Sequence, residues 1–371
     1  MDKICILHTA DLHLGSAAET HLSGNTASIP VTRQGELLAV FSDLVRRAGE
    51  CGASAVLLAG DLSDVGILPP SECAFVLDTI ASHPKVRFFL VPGNHDRMDG
   101  GESCFSSSAV LPGNLTVFGS AWETCYLTPE ITVTGRTLPR EKDPFSMPAL
   151  PADCFNIVLL HGLLSAEQTF GGADSVLPRR AFIGKNIDYL ALGHLHTFSL
   201  EKLDGRCTAC YSGTPAGRGF DECGEKGWAE LTLADGKRPD VRFVPSGART
   251  LHTVDVDVST VPTGIAAAEN AVLSALGELP ARDIVRVRLT GEDDLTAERG
   301  ISYLKKRLAE RFFYAELTDA RTVRMDLEQY RGDISLRGAF VREVLSDDSL
   351  SEEEKTEILR CGLGALSGRE A

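Results

Sequence analysis

The stretch Val91-Pro92-Gly93-Asn94-His95-Asp96 joins an apolar run to three polar side chains. The run from Val86 to Val91 predicts a buried strand, and Pro92 with Gly93 predicts a turn directly after it. An amide, an imidazole and a carboxylate at this place can be simple loop formers. Their meaning therefore depends on whether similar clusters follow other strands.

Four further clusters of the same kind follow apolar runs elsewhere in the chain. They are Asp11-Leu12-His13, Gly60-Asp61-Leu62-Ser63-Asp64, His161-Gly162 and Gly193-His194-Leu195-His196. Five of the nine histidines lie in these five clusters, which random placement would seldom produce. His8, by contrast, lies inside the first apolar run and is expected to be a core residue.

The order of the predicted elements indicates an α/β fold. The first hundred residues alternate between strands (Lys3 to Thr9, Ala55 to Ala59, Val86 to Val91) and helices (Thr32 to Cys51, and one from Pro69 with Phe75, Val76, Leu77 and Ile80 inward). This alternation predicts parallel strands joined by crossover helices. The second half is richer in strands, several of them antiparallel. We therefore expect a four-layer α/β/β/α sandwich of two sheets.

Three regions are expected along the chain, with a boundary at Pro245-Ser246-Gly247. Residues 1–247 would form the sandwich, residues 248–334 a small α+β domain, and residues 335–371 a helical tail. The apolar face of that tail either contacts a partner or packs on its own chain, and the sequence leaves both alternatives open.

Composition limits the class of protein. Hydrophobic residues make up 43% and charged residues 24%, as in ordinary soluble proteins, and no apolar run approaches the ~20 residues of a membrane span. The first residues predict a strand, not a signal peptide. We therefore expect a cytoplasmic protein that does not enter a membrane and whose ten cysteines are free thiols. Cys207 and Cys210 form a lone CxxC, which is weak support for zinc.

The net charge of −15 argues against tight nucleic-acid binding by the isolated chain, because dedicated binders usually carry a basic surface. A metal site softens this argument, since it consumes carboxylates and gains cations. A partner could also share the binding of DNA.

The polar clusters suggest a metal centre. Carboxylate, imidazole and amide groups suit Mn²⁺, Fe²⁺ or Zn²⁺, and the carboxyl ends of parallel strands meet at one edge of a sheet. The candidate ligands are Asp11, His13, Asp61, Asn94, His161, His194 and His196. Seven ligands are too many for one six-coordinate ion that also binds substrate, so they predict two ions sharing a carboxylate. Two such ions clamp an in-line phosphoryl displacement and lower the pKa of a water between them, which predicts a phosphate-ester hydrolase.

His95 is the cluster histidine that we do not predict to be a ligand. It could protonate the leaving oxygen or stabilise the transition state, with Asp96 holding its ring, so both are candidate catalytic residues. Asp64 either supports a ligand from behind or caps the following loop. Substrate-binding residues are not identified, although Arg179, Arg180 and Arg218 could contact phosphates.

Together the motifs resemble the calcineurin-like metallophosphoesterase superfamily over about residues 4 to 196. Within it the chain is similar to the DNA repair exonuclease branch, the SbcD and YhaO-like nuclease subunits. The similarity extends to the start His8 to Gly15 and to the segment from Tyr211 through Gly219-Phe220-Asp221-Glu222 to Gly227. The α+β domain after the core is placed like the capping domain of those proteins.

The resemblance implies specific roles. Asp11, His13, Asp61 and His196 would hold one metal ion, and Asp61, Asn94, His161 and His194 the other. The ions would be Mn²⁺, and His95 would match the catalytic histidine. The substrate would be DNA, and the partner an SMC-like coiled-coil ATPase gripped by the helical tail. A homodimer is also possible.

One departure from the family concerns the segment Leu62-Ser63-Asp64-Val65-Gly66, which lacks a histidine that some of these nucleases carry there. The balance between exonuclease and endonuclease action is therefore left open.

Three functions remain in competition. The first is a two-metal phosphodiesterase that processes DNA ends or double-strand breaks, in which a metal-activated water attacks and His95 assists the leaving group. The second is a small-molecule phosphodiesterase or phosphatase of the same superfamily, which the acidic charge favours. The third is a non-catalytic binding subunit of an ATPase complex, although a complete ligand set argues against it.

Overall fold

The computed structural model describes most of the chain. The described residues are 4–16, 28–64, 68–96, 105, 110–139, 142–144, 147–166, 169–171, 175–234, 239–294, 299–324, 330 and 332–366. They divide into two compact units, residues 1–250 and 251–371. The domain limits expected from the sequence, 247 and 334, stay predictions, and each unit is described by itself.

The described part of the first unit contains strands and three helical segments. In chain order these are β1 (Ile4–Thr9), α1 (Ser28–Glu50), β2 (Ala55–Leu58), α2 (Pro70–Ala81), β3 (Arg87–Leu90), β4 (Leu115–Val117), β5 (Glu123–Thr128), β6 (Ile131–Gly135), β7 (Lys142–Pro144), β8 (Phe155–His161), β9 (Leu163–Ser165), β10 (Thr169–Gly171), β11 (Val176–Pro178), a 3-10 helix (Arg179–Phe182), β12 (Tyr189–Gly193), β13 (Ser199–Lys202), β14 (Thr208–Tyr211), β15 (Gly227–Leu233) and β16 (Asp240–Pro245).

Two large sheets form the sandwich. The first has the order β16-β15-β1-β2-β3-β4 and the second the order β13-β14-β12-β8-β6-β5. Strands β1 to β4 run parallel, as the alternation of strands and helices predicted. Their inward side chains, such as Ile6 and Phe89, pack against Ile157 and Ala191 of the second sheet in a buried core. The predicted two-sheet sandwich is confirmed.

The outer faces of the two sheets are covered differently. Helices α1 and α2 cover the first sheet, where Phe41, Leu44 and Val76 join its outer core. The second sheet is covered by Leu177, Phe182 and neighbouring residues, which belong to short strands and the 3-10 helix. Within the described residues this fourth layer is thus thinner than the α-helical layer that we expected.

Two details of the helices differ from the expectation. Helix α1 begins at Ser28, four residues before Thr32; Pro30 is compatible with this because the first turn of a helix leaves its N–H groups unpaired anyway. In α2, Val76 and Ile80 are buried as predicted, but Phe75 is exposed, so its inward placement was wrong.

The second unit combines a three-stranded parallel sheet with helices. Its elements are β17 (Leu251–Asp257), α3 (Ile265–Leu276), β18 (Ile284–Thr290), β19 (Glu292–Asp294), α4 (Ile301–Arg311), β20 (Tyr314–Asp319), β21 (Thr322–Arg324), α5 (Leu336–Ser346) and α6 (Glu352–Leu366). Strands β17, β18 and β20 lie side by side and run parallel. In the tail, Val341 and Val344 of α5 pack with Leu359 and Leu363 of α6, so much of its apolar surface is covered within the tail.

Candidate metal centre

The backbone around the predicted ligands is unusual. Asp11, His13, Asp61 and His194 have φ angles of 54°, 46°, 51° and 98°. They are four of the six non-glycine residues with positive φ in the described part of the chain. Such conformations cost about 1–3 kcal/mol each and cluster at functional sites. We refer below to Asp11, His13, Asp61, Asn94, His161, His194 and His196 as the strand-end cluster.

One group of possible ligand atoms comes from Asp11, His13 and His196, within 4.8 Å of one another. Both imidazoles engage a carboxylate through Nδ1: that of His13 lies 2.8 Å from Asp64 Oδ1 and that of His196 lies 2.5 Å from Glu222 Oε1. Each Nε2 is then turned toward the cluster. His196 Nε2 lies 3.9 Å from Asp11 Oδ1 and His13 Nε2 lies 3.9 Å from Asp61 Oδ2.

A second group combines Asp11, Asp61 and His161, all buried. The Nδ1 of His161 donates to the carbonyl oxygen of Ala59 at 2.8 Å. Its Nε2 therefore faces Asn94 Oδ1 at 2.9 Å and Asp61 Oδ2 at 3.3 Å. These three atoms belong to residues predicted to hold the same ion.

His194 is placed less tightly. Its ring centroid is 5.4 Å from that of His161, and its backbone N–H donates to both carboxylate oxygens of Asp11 at 3.0 Å. The metal-compatible groups found among the described residues do not include its imidazole.

Two glycines permit these close approaches. A Cβ on Gly93 would lie 2.1 Å from Asp61 Oδ1, and one on Gly193 would lie 2.0 Å from the Ala59 carbonyl oxygen. Both distances are far inside van der Waals contact. Gly193 therefore lets strand ends of the two sheets meet, whereas Gly93 lets the loops after β2 and β3 of the first sheet meet.

The pKa values of several residues in the strand-end cluster are strongly shifted. Burial raises the pKa of Asp11. Burial also opposes ionisation of Asp61, but the charge and hydrogen bond of His161 outweigh it and lower the Asp61 pKa. Burial would lower the His161 pKa, yet the charge of Asp61 raises it to about 9. Burial and the neighbouring His161 lower the pKa of His194 to about 4.

These residues fit divalent metal ions. Nitrogen and carboxylate oxygen donors are ligands that such ions prefer. Moreover, the Nε2 of His13 is buried and has no hydrogen-bond partner in the part of the chain that the structure describes. A buried polar atom without a partner is rare in proteins, and a metal ion would satisfy it.

Asp96 does not have the contact that we expected. Its buried carboxylate accepts hydrogen bonds from the backbone N–H groups of Leu62 (3.2 Å), Ser63 (2.7 Å) and Gly93 (2.8 Å). The interpretation that Asp96 holds the His95 ring is therefore wrong. Asp96 ties the loop after β2 to the loop after β3 instead.

Asp64 is the carboxylate that faces His95. Its Oδ1 lies 3.4 Å from His95 Nδ1 and also binds His13. The side chain of His95 is 45% exposed, so the ring reaches solvent at the edge of the cluster. Of the two alternatives for Asp64, the contacts agree with support of the site from behind. His13, Asp64 and His95 form a third metal-compatible group.

The sequence did not predict the contacts that the segment from Thr214 to Glu222 makes with the site. Glu222, which is 4% exposed, contacts His196, and Thr214 donates from Oγ1 to the Asp11 carbonyl oxygen at 2.8 Å. Arg218, considered as a phosphate contact, instead binds Asp64 and Glu222. The stretch around Gly219 to Glu222 had pointed to the family, but nothing in it predicted these partners.

The lone CxxC has a structural place. Cys207 packs in the outer core of the second sheet, whereas Cys210 packs between the two sheets. Burial raises the pKa of each thiol to about 12. The two thiols lie in different cores, and the metal-compatible groups of the described residues contain no cysteine.

A two-sheet sandwich with Asp, His and Asn at adjoining strand ends defines the class of metallophosphoesterases. The sequence model of the calcineurin-like phosphoesterase family matches residues 5–198, which is more than half of the chain. The chain therefore belongs to the calcineurin-like phosphoesterase family, whose members use divalent metals.

Two relatives carry the name "DNA double-strand break repair protein Mre11". That of Sulfurisphaera tokodaii is 26% identical over 223 residues, which cover 58% of this chain and 54% of the relative. That of Methanosarcina acetivorans is 25% identical over 322 residues, which cover 79% and 47%. This chain spans about half the length of the curated relatives it matches.

Solved structures are similar to this chain at lower identity. The structure of TT1561 from Thermus thermophilus is 16% identical, with a TM-score of 0.42, and the match covers 66% of this chain and 99% of that one. A dimetal phosphatase from Danio rerio is 11% identical with the same TM-score, covering 66% and 97%. Separately, no helix in the described residues has both the length and the apolar character needed to cross a membrane.

Proposed function

We propose that the chain is a two-metal phosphodiesterase that cleaves DNA as an exonuclease or endonuclease during the processing of ends or double-strand breaks. The position of Asp61 carries the two-metal part of this proposal. Its Oδ2 lies 3.9 Å from His13 Nε2 and 3.3 Å from His161 Nε2, so one carboxylate faces both histidine groups. The names of the two Mre11 relatives support DNA as the substrate.

The proposed ligand sets share Asp61. Asp11, His13, Asp61 and His196 would hold one ion, and Asp61, Asn94, His161 and His194 the other. Mn²⁺ is the ion that the resemblance favours. When bound, the ions would supply Lewis acidity and an activated water for in-line displacement at phosphorus.

The chain's own residues would position the substrate and move a proton. His95 lies at the exposed edge of the cluster, and Asp64 faces its Nδ1. Nδ1 also contacts the backbone carbonyl oxygen of Asp64 at 3.5 Å, so Nε2 is left to protonate the leaving oxygen. The backbone N–H of His95 donates to Asp61 Oδ1 at 2.9 Å, so the proposed acid and the proposed shared ligand are held together.

A partner is part of the proposal. The net charge of −15 makes tight DNA binding by the chain alone unfavourable. An SMC-like coiled-coil ATPase could provide DNA contacts and the nucleotide site, with the helical tail from residue 335 as its binding segment.

The decisive experiment compares two substrates. Linear duplex DNA and bis(p-nitrophenyl) phosphate are each incubated with the full chain and Mn²⁺, beside His95→Ala and the control Arg242→Met. Arg242 pairs with Glu230 outside the cluster. We expect the wild type to cleave both substrates. The rate of DNA cleavage should fall about 10²–10⁴-fold in His95→Ala, the usual contribution of a general acid, and should not fall in Arg242→Met.

Other outcomes have definite meanings. If only the small ester is cleaved, even with the ATPase partner present, a small-molecule phosphodiesterase would be favoured. The acidic net charge of the chain also favours that function. No cleavage of either substrate by a chain that binds two Mn²⁺ ions would favour a binding subunit.

A further inference from the structure

Arg218 connects two carboxylates behind the strand-end cluster. Its Nη2 donates to Glu222 Oε1 at 2.9 Å, and its Nη1 donates to Asp64 Oδ1 at 3.4 Å. The side chain is 19% exposed, and Glu222 is 4% exposed. A guanidinium is planar and rigid, so it fixes the two carboxylates that it contacts relative to each other.

Each of these carboxylates also holds an imidazole, through the same oxygen that faces Arg218. Asp64 Oδ1 lies 2.8 Å from His13 Nδ1, and Glu222 Oε1 lies 2.5 Å from His196 Nδ1. A carboxylate behind a ligating histidine fixes the ring and leaves Nε2 for the metal. Arg218 thus stands behind both histidines of the group formed with Asp11.

The backbone that carries Arg218 is itself anchored. The N–H of Arg218 donates to Glu222 Oε2 at 2.7 Å. The buried side chain of Arg33 donates to the carbonyl oxygen of Gly217 at 2.5 Å. Helix α1 therefore fixes the residue next to Arg218, so the guanidinium starts from a defined position.

We propose that Arg218 is a positioning residue that holds His13 and His196 on one metal ion by clamping Asp64 and Glu222. The inference rests on the proposed two-metal centre. The expected effect of Arg218 is limited to one metal site. His161 contacts Ala59 and Asn94, and not the carboxylates that Arg218 binds. Loss of Arg218 should therefore weaken one metal site and spare the other.

The test measures Mn²⁺ binding to the full chain, first freed of metal with a chelator. Isothermal titration gives the affinity of each site, and electron paramagnetic resonance reports the bound ions. The variants are Arg218→Met, Arg218→Lys and the control Arg242→Met, which removes an arginine–glutamate pair away from the cluster. Thermal unfolding of the metal-free variants checks that they fold.

We expect Arg218→Met to weaken one of the two sites about tenfold, the low end of the effect of outer-shell partners. Arg218→Lys should recover part of this, because it keeps the charge without the fork. In a background of Asp64→Asn and Glu222→Gln, Arg218→Met should cause no further loss, since interacting residues are not additive.

Three results would overturn the inference. They are unchanged affinity at both sites, equal weakening of both sites, and a full additional loss in the Asp64→Asn, Glu222→Gln background. In each of these cases the proposed two-metal centre would stand. A wild-type chain that binds fewer than two Mn²⁺ ions would instead refute that centre, and the inference with it. If Arg218→Met does not fold, Arg218→Lys decides: a selective loss supports the inference and unchanged binding refutes it.

Discussion

The carboxylate of Asp61 meets the imidazole of His161 with 3.3 Å between Oδ2 and Nε2. Asp61 follows β2 of one sheet, whereas His161 ends β8 of the other. The contact therefore joins the two sheets at the edge where the strand ends converge. Because Asp61 Oδ2 also lies 3.9 Å from His13 Nε2, loss of Asp61 should affect both halves of the cluster.

Asp61→Asn should prevent the chain from binding two metal ions. Asparagine keeps the shape of the side chain but removes the charge that faces both His13 and His161. We expect the number of bound Mn²⁺ ions to fall from two to one or none, with affinity reduced more than about 100-fold, beyond the range for outer-shell partners. Isothermal titration measures this. Asp255→Asn, at an exposed carboxylate paired with Arg288, should change nothing, and two tightly bound ions in Asp61→Asn would contradict the prediction.

Gly93→Ala should destabilise the first unit. The new Cβ would lie 2.1 Å from Asp61 Oδ1 and 2.5 Å from the Asp61 backbone nitrogen, so one of the two loops must shift. Overpacking of this kind costs about 1–3 kcal/mol, and urea denaturation measures it.

The matched control is Gly35→Ala inside α1, where a Cβ meets open space. Alanine there should raise the free energy of unfolding by about 0.5–1 kcal/mol. Because the two substitutions are expected to act in opposite directions, their effects are easily told apart. A neutral Gly93→Ala would show that the loops tolerate the displacement.

Asp96→Asn should act on stability and leave the proton chemistry of His95 alone. The Asp96 carboxylate accepts three backbone N–H groups, and hydrogen bonds to charged groups contribute about 1.5–3 kcal/mol each. In asparagine an amide nitrogen, which is itself a hydrogen-bond donor, would replace one of the oxygens that accept these N–H groups. We expect the free energy of unfolding to fall by about 3 kcal/mol or more in urea denaturation.

The control for Asp96→Asn is Asp153→Asn at an exposed position, which should stay within about 0.5 kcal/mol. A pH profile of hydrolysis separates the two interpretations of Asp96. A profile displaced in Asp96→Asn would revive the idea that Asp96 orients His95.

Much of this architecture could be predicted from the sequence, since local patterns report local structure. Apolar runs in the sequence predicted the positions of β1, β2, β3, β8 and β12, and the polar residues that follow these strands form the cluster. The partners of those residues could not be predicted. Glu222 meets His196 across a loop, and Asp96 binds the loop after β2. Such contacts depend on how distant loops meet, which no periodicity encodes.

His8 should give the protein a pH-dependent stability that has nothing to do with metal. It is fully buried in β1 with Nδ1 2.9 Å from the Tyr189 hydroxyl oxygen, and burial lowers its pKa to about 3. An unfolded histidine titrates near 6.5. Between these values the unfolded chain binds a proton that the folded chain excludes, so stability is complete above pH 6.5 and falls as the pH drops toward 3. The slope is about 1.4 kcal/mol per pH unit, and the full loss about 4–5 kcal/mol.

Urea denaturation of the wild type and of His8→Gln between pH 5 and 7 isolates this contribution. Glutamine can still bond to the Tyr189 hydroxyl but does not titrate, and the carboxylates contribute equally in both proteins. The wild type should lose about 2 kcal/mol more than His8→Gln between pH 6.5 and pH 5. Parallel curves would mean that His8 takes up its proton in the folded state, and that the core between the two sheets admits a charge.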